Sequence, residues 1–392
     1  MTSPLIRLAI KSLLHHRVRS LVLVLCIALI GVLPLAVEGF LKLYRTELES
    51  RSLSTPLAVG APGSRSDLLI HALYFRGEVE KSIPMKIARE VAELGRVTPV
   101  PIHLEGTVRD HPLVGTTPDY LSYRNLKLAG NGQWPQRLSE AVIGSTVAKK
   151  QGLAVGDKVP TDSEELYDLG GGYPLVLKIR GVLEPAGTPD DEAVFVSLQT
   201  SWVVAGEGHG HIAVDPKIDF HLIMENKSDN VTMNAAVLEA VDVTPENEGS
   251  FHFHGDPDDL PLTALLVDAP NNKGLTLARS NLRRNEELLV LDSKSELDEL
   301  LGIVMQAKVI LDMNSLLVLL ATIILLGLIV TLDVKVRERE VKTLERLGAP
   351  RGFVARLLFT EIAIVVGMGA FLAFITARAA ISWVASGSLP TF

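Results

Sequence analysis

Three long runs without a charged residue limit what this chain can fold into. Residues 20–37 read SLVLVLCIALIGVLPLAV, residues 313–332 read MNSLLVLLATIILLGLIVTL, and residues 362–377 read IAIVVGMGAFLAFITA. At a rise of about 1.5 Å per residue, eighteen to twenty apolar residues span the hydrocarbon core of a bilayer. The third run extends back through Leu357, Leu358 and Phe359, or forward past Arg378 to Trp383. Any one run could be a buried helix of a soluble protein, but three together predict a multi-pass membrane chain. The first run has no clean small-residue cleavage site before Glu38 and is too long for a signal-peptide core, so a retained span is expected. Pro34 is tolerable near the end of such a helix. The composition agrees, with 47% hydrophobic residues, 21% charged residues and a mean hydropathy of +0.27.

Lysine and arginine in short flanks set the expected orientation. Arg7, Lys11, Arg17 and Arg19 precede the first span, and Lys335, Arg337, Arg339, Lys342, Arg346, Arg351 and Arg356 lie between the second and third. Both flanks are expected in the cytoplasm, which places the long middle segment outside. The third span then ends outside, with Trp383 at the outer interface and a tail, SGSLPTF, too short to cross again. The expected divisions are an amphipathic N-terminal helix (1–19), a first span (20–41), an extracytoplasmic domain (42–292), a stalk helix (293–312), a second span (313–333), a cytoplasmic coupling segment (334–360), a third span (361–384) and a short tail (385–392).

The middle segment mixes patterns. Residues 57–59, 175–182, 193–196, 220–224 and 262–267 read as strands. Residues 84–94, 138–152 and 231–241 read as helices. A mixed α+β domain, in one or two lobes, follows. From Asp292 the text turns helical, with Ser293 and Glu296 spaced as a capping box. Apolar residues then recur at Leu297, Leu300, Leu301, Val304, Ala307 and Leu311. Two readings stand: one rod continuous with the second span, or a separate helix packed on the domain.

Several function classes are excluded or disfavoured. The lone cysteine, Cys26, lies inside an apolar run, so no intramolecular disulfide forms. The net charge of −8, the acidic pI and the lack of a basic face with interleaved aromatics argue against nucleic-acid binding. Gly170-Gly171-Gly172 is an isolated triplet, and no P-loop with its Lys-Ser/Thr occurs. No nucleophile elbow, paired-carboxylate signature or His-Glu-x-x-His motif is visible, so an external hydrolase is disfavoured and no catalytic residue is expected. Eight of the ten histidines fall in the middle segment. His209 and His211 form one cluster; His252, His254, Asp256, Asp258 and Asp259 form another. Alternating histidines on a strand share a face, a workable spacing for metal ligands, but the clusters must meet in space and a solvated polar loop is the other reading.

Four stretches carry a family resemblance. IRLAIKSLLHHRVRSLVLVLCIALIGVLPLAV ends an amphipathic helix in Arg-x-Arg before the first span, and PLAVGAPGSRSDLLIHALYFRG follows it. EAVIGSTVAKKQGLAVGDKV with LKIRGVLEPAGTPDDEAVFVSL lies in the middle, and VKVREREVKTLERLGAPRGFVARLLFTEIAIVVGMGAFLAF crosses into the third span. Together they resemble the FtsX/MacB-type ABC-transporter permeases. The last match is the most specific, and the resemblance covers nearly the whole chain. The family typically has four spans, of which three are legible here.

The resemblance implies a multi-pass α-helical membrane protein with a large α+β extracytoplasmic domain of the MacB-like periplasmic core type, in a bacterial inner membrane. It implies a non-catalytic permease subunit coupled to a cytosolic ABC ATPase of the LolD/MacB type, which uses ATP and Mg while this chain binds no cofactor. It further implies a homodimer or heterodimer of permease subunits, with a periplasmic adaptor or lipoprotein as a further partner. The alternative is a non-transporting mechanotransmission scaffold that regulates an envelope partner such as a cell-wall hydrolase.

The same resemblance assigns ATPase docking to the charged segment, and its residues are compatible. Arg337, Glu338, Glu345 and Arg346 belong to an alternating-sign helical stretch. Gly348, Ala349 and Pro350 interrupt it, since Gly suits a helix C′ position and Pro disfavours helix at the preceding residue. A short amphipathic helix containing Arg351, Phe353, Arg356 and Phe359 is expected next, facing the ATPase or, on the other reading, anionic lipid. Glu361 opens the third span, either as a favourable charge at the helix start or as the partner of a coupling-segment arginine.

Overall fold

The computed structural model describes residues 4–95, 97–162, 174–210, 223–227, 230–233, 240–253, 255–336 and 352–385. The chain divides into two compact units, Leu48–Leu300 and the pair Met1–Glu47 with Leu301–Phe392. It opens with α1 (Pro4–His15) and α2 (Arg17–Leu53), then β1 (Leu57–Gly60), α3 (Arg65–Tyr74), β2 (Ile83–Pro84) and α4 (Lys86–Glu93). There follow β3 (Thr98–Val108), β4 (His111–Thr116), α5 (Asp119–Arg124), β5 (Glu140–Ile143), α6 (Ser145–Gln151), β6 (Lys158–Pro160) and β7 (Leu175–Val182). Next come β8 (Val194–Ser197), α7 (Leu198–Val204), β9 (Gly208–Gly210), β10 (Ile223–Lys227), β11 (Asn230–Met233), β12 (Val241–Asp242) and β13 (Phe251–Phe253). The chain finishes with β14 (Pro261–Leu262), β15 (Ala264–Asp268), α8 (Asn272–Leu282), β16 (Leu289–Asp292), α9 (Ser293–Val336) and α10 (Phe353–Ala385).

In the unit Leu48–Leu300, one ten-stranded sheet runs β12-β7-β5-β8-β4-β3-β15-β1-β16, with β6 paired to β7. The β4–β8, β5–β7 and β7–β12 pairs are parallel; the rest of the path is antiparallel. Several of its inner strands, β1, β5, β8 and β15, are buried on both faces, which is why they read as unbroken apolar runs, whereas β7 alternates. Ala141, Val142 and Ile143 of β5 are fully buried. The register of β1 with β16, Leu57↔Asp292, has a topological consequence. It sets the end of α2, four residues before Leu57, beside the start of α9 at Ser293, so both long helices leave this unit from neighbouring strands.

Several expectations are corrected here. Residues 138–152 are not one helix: β5 occupies Glu140–Ile143 and α6 begins at Ser145, after Gly144 in extended backbone. A Cβ at Gly144 would collide with the Asp191 main chain, so the chain turns there. Residues 230–233 form β11, hairpinned to β10, and 241–242 form β12, where one helix was expected; residues 234–239 lie outside the described residues. The 262–267 run is split at Thr263, whose Oγ1 donates to the Ile102 carbonyl and accepts from Leu104 N–H. The capping box does not form either. Asp292 Oδ1 accepts from Ser295 N–H at 3.3 Å as the N-cap, Ser293 Oγ is buried without a partner, and Glu296 pairs with Arg65.

Two buried histidines make this unit acid-sensitive. His103 Nδ1 lies 3.1 Å from Ser201 Oγ, and that hydroxyl spends its proton on the Leu198 carbonyl at 2.9 Å, so His103 Nδ1–H is the donor. Burial pushes His103 down to about 4, helped by nearby His71. Burial also lowers His71, against its bond to the Gly77 carbonyl. Both are neutral in the fold and protonate near pH 6.5 once unfolded. The unfolded chain therefore binds more protons between pH 6.5 and about 4, and stability falls as pH drops through that window. For His103 alone the loss by pH 4 is on the order of 3 kcal/mol. The thermal midpoint of the full chain in detergent should decline over this window, with a shallower slope in His103→Asn; a flat midpoint from pH 6.5 to 4.5 would refute it.

Candidate functional site

Among the described residues, three helices are long and apolar enough to cross a membrane: α2, α9 and α10, with the apolar segments at Arg17–Leu43, Ser293–Leu325 and Ala355–Val384. α9 is one uninterrupted helix of 44 residues that takes in both the residues expected as a stalk and those expected as the second span. In the unit formed by the chain ends, α2 and α10 touch through small residues. A Cβ at Gly369 would stand 2.7 Å from Ile27 Cβ, one at Gly31 3.0 Å from Ala373 Cβ, and one at Gly39 would overlap the Ile381 side chain. Arg19 Nη2 and Glu361 Oε2 lie 4.0 Å apart at the start of the same seam. The four pairs 19/361, 27/369, 31/373 and 39/381 share a constant offset of 342, which makes the two helices parallel with their N-terminal ends together. Glycine and alanine let two backbones approach where lipid gives no hydrophobic drive for association. α1 packs on α10 as well, with Ala9 fully buried. Further along α2, Glu38 is reached by Lys308 of α9 (3.1 Å), which also bridges Asp312 (2.7 Å).

In the unit Leu48–Leu300, the last turn of α2 plants Arg51 in a buried polar cluster. Its guanidinium forks onto both oxygens of Asp190, reaches Tyr120 Oη at 3.2 Å, and donates through Nε to the Leu73 carbonyl at 2.8 Å. Tyr120 Oη and Thr188 Oγ1 also donate to Asp190. Arg51 is 4% exposed, and Asp190 and Tyr120 are fully buried. Burial alone would raise the Asp190 carboxyl, but the adjacent Arg51 charge, with bonds from Arg51 and Tyr120, holds it below the usual carboxylate range. Burial pushes the Tyr120 phenol up, and it stays protonated as a donor. The cluster is structural: an ion pair with its lone pairs satisfied fixes the end of α2 in the sheet's core. Sequence reading missed it, because Arg51 and Asp190 are 139 residues apart and nothing in the quoted stretch that contains Asp190 points to Arg51 as its partner.

The predicted docking residues divide between described and undescribed segments. Arg337, Glu338, Glu345, Arg346, Gly348, Ala349, Pro350 and Arg351 lie outside the described residues. Gly352 has φ +86°, and α10 begins directly after it. Phe353, Arg356, Phe359 and Glu361 all belong to α10, so the expected short amphipathic helix and the third span are one helix. Nothing between Phe353 and Ala385 breaks the i→i−4 ladder, and Gly352 already supplies the break. Arg356 and Phe359 are exposed, whereas Glu361 is 4% exposed and pairs with Arg19 of the Arg-x-Arg motif.

Of the proposed metal ligands, His209 and His252 sit opposite each other on the β9–β13 ribbon. Asp256 Oδ1 accepts from Asp258 N–H in a turn. His211 and His254 lie outside the described residues. Among the described residues no group of three His, Cys, Asp or Glu side chains converges.

Comparison with known proteins follows the same division. Residues 20–238 match the MacB-like periplasmic core domain, and residues 313–391 match the FtsX-like permease C-terminal region. No curated protein matches the chain. Among solved structures, the periplasmic region of MacB from Actinobacillus actinomycetemcomitans is similar at 9% identity and a TM-score of 0.38, over 63% of this chain and 94% of that one. The extracellular domain of the noncanonic ABC-type transporter YknZ from Gram-positive bacteria is similar at 10% identity and a TM-score of 0.33, over 60% of this chain and 98% of that one. With family models matching its first span and sheet body as well as its last two helices, the chain belongs to the FtsX/MacB-type ABC-transporter permeases, membrane proteins that carry a large α+β extracytoplasmic domain.

Proposed function

We propose that this chain is the non-catalytic permease subunit through which a separate cytosolic ABC ATPase drives its extracytoplasmic domain, in the export or extraction of a substrate. ATP and Mg are used by the ATPase, and two permease subunits, identical or related, make up the complex. The observation that carries this reading is the FtsX-like permease match, which extends from residue 313 to 391 and takes in the second half of α9, the charged segment and α10. The parallel register of α2 with α10 supports the orientation. It keeps the N-terminal ends of both helices on one side, so Arg7, Lys11, Arg17 and Arg19 share a side with Arg356. By the positive-inside rule that side is the cytoplasm of a bacterial inner membrane. Exposed Arg356 and Phe359 in the first two turns of α10 give an ATPase both a charge and an apolar anchor.

The test is co-purification. Charge reversal at Arg346, Arg351 and Arg356 together should abolish recovery of the ATPase with the tagged permease while the permease still inserts. An unchanged complex would refute the docking assignment.

A further inference from the structure

The face of α10 turned away from α2 carries one cation among apolar residues. Gly369 and Ala373 mark the side that meets α2. At about 100° per residue, Arg378 stands half a turn round the helix from Gly369. Gly367, Phe371 and Phe374 precede Arg378 by eleven, seven and four residues, spacings that put all four on one side. All four are exposed. A Cβ at Gly367 would meet nothing within 4 Å, so the helix surface is open there. Among the described residues Arg378 is partnered by a ring and not by a carboxylate: its Cζ stands 5.8 Å from the centroid of Phe374. Such a contact orients the guanidinium plane, while its N–H donors point outward within that plane.

The level of Arg378 along the helix matters as much as its face. From Glu361 to Arg378 α10 rises about 26 Å, and from Arg19 to Glu38 α2 rises about 28 Å. Both are close to the roughly 30 Å hydrocarbon core of a bilayer. Arg19 and Glu361 meet at one end. At the other, the register that sets Gly39 beside Ile381 brings Arg378 within about 3 Å of the level of Glu38, which Lys308 reaches. Charge thus marks both edges of one apolar belt, and Arg378 lies at the edge away from Glu361. A charge deep in hydrocarbon is costly, but a long side chain at the edge extends its head to the interface. A covering helix would have to bury this guanidinium against a carboxylate. A phospholipid supplies tails for the phenyl rings and a phosphate at the depth of the guanidinium, and that pairing is charge-assisted and often bidentate.

We propose that Arg378, over the Phe374 ring, holds the phosphate of a phospholipid whose acyl chains lie along Phe371 and Gly367. From Arg378 to Gly367 is about 16 Å along the axis, roughly half the core and so the depth of one leaflet. The site rests on α10 crossing the membrane and not on ATPase docking.

The experiment counts the phosphatidylglycerol molecules retained by the detergent-purified full-length chain in native mass spectrometry. Circular dichroism and elution volume check the folding of each variant. Arg378→Gln should retain one lipid fewer than the parent. Arg378→Lys, which keeps the cation, should retain the parent's number. Lys273→Gln, which removes an equal charge from the exposed side of α8, should match the parent. Diacylglycerol, which has the tails without the phosphate, should bind the parent and Arg378→Gln alike. Equal phosphatidylglycerol counts in the parent and a folded Arg378→Gln overturn the proposal. A fall in dimer content with no change in lipid count overturns it too, and makes a second copy of the chain the occupant of this face. ATPase recovery reads the charged segment and the lipid count reads Arg378, so each assignment fails on its own.

Discussion

Arg51→Ala should destabilise the extracytoplasmic domain by about 3–5 kcal/mol, the usual cost of removing one partner from a buried ion pair. The substitution strands Asp190, fully buried, with Tyr120 and Thr188 as its remaining donors. It also leaves the Leu73 carbonyl without its donor and removes the guanidinium from above the Phe75 ring, 5.7 Å away. Denaturant unfolding of the full chain in detergent, followed by the fluorescence of Trp134 and Trp202 in the core, measures it. The pH dependence has a definite sign. Asp190 is held below its ordinary value, so the pair's contribution is present above about pH 4 and is lost as pH falls through the folded-state value. The deficit of Arg51→Ala should therefore shrink in strong acid. Replacing both partners with apolar residues, as in Arg51→Met/Asp190→Leu, should recover much of the loss, because no buried charge is then stranded. A deficit under about 1 kcal/mol for Arg51→Ala would show that the pair behaves as a surface bridge.

The second large effect belongs to the α2–α10 seam. Glu361→Lys places a cation against Arg19 where the parent has an anion 4.0 Å away. Two charges at that distance interact by about 4 kcal/mol at the effective dielectric of a protein surface. Arg19 is 30% exposed, which screens part of this and leaves roughly 2–4 kcal/mol against the parallel packing of the helices. Yield of folded permease and thermal stability in detergent should both fall. The swap Arg19→Glu/Glu361→Arg should restore a substantial part of both, which no loss of packing alone would allow. If the swap is as poor as the single variant, the seam is held by glycine and alanine contacts and the ion pair is incidental.

Much of the architecture is legible without coordinates. Long uncharged runs mark helices apolar enough to cross a membrane, and among the described residues three such helices contain those runs. Residues 175–182 alternate and are bounded by turn residues, and β7 occupies Leu175–Val182. The continuous run of residues 140–143 misleads, because a strand buried on both faces has no period of two, and its neighbours β7 and β8 come from elsewhere in the chain. The capping box misleads for a similar reason. Glu296 finds Arg65, a partner 231 residues away, and Asp292, delivered by β16, takes over as cap.

The candidate sites divide the same way. A carboxylate at Glu361 reads as a polar group entering a span, but nothing local names Arg19 as its partner. That contact exists because two helices from opposite ends of the chain share one register. His209 and His252 read as two separate clusters until β9 and β13 pair them. By itself the sequence determined what depends on neighbours in the chain: which segments are apolar enough to span, which flanks are basic, where glycine and proline interrupt, and the family whose spacing those features repeat. Only the tertiary structure decided the pairings across long separations, namely Arg51 with Asp190, Glu361 with Arg19, and His209 with His252. The physical reason is that burial and strand register choose these partners after the backbone has closed loops of tens to hundreds of residues, and no local pattern records that choice.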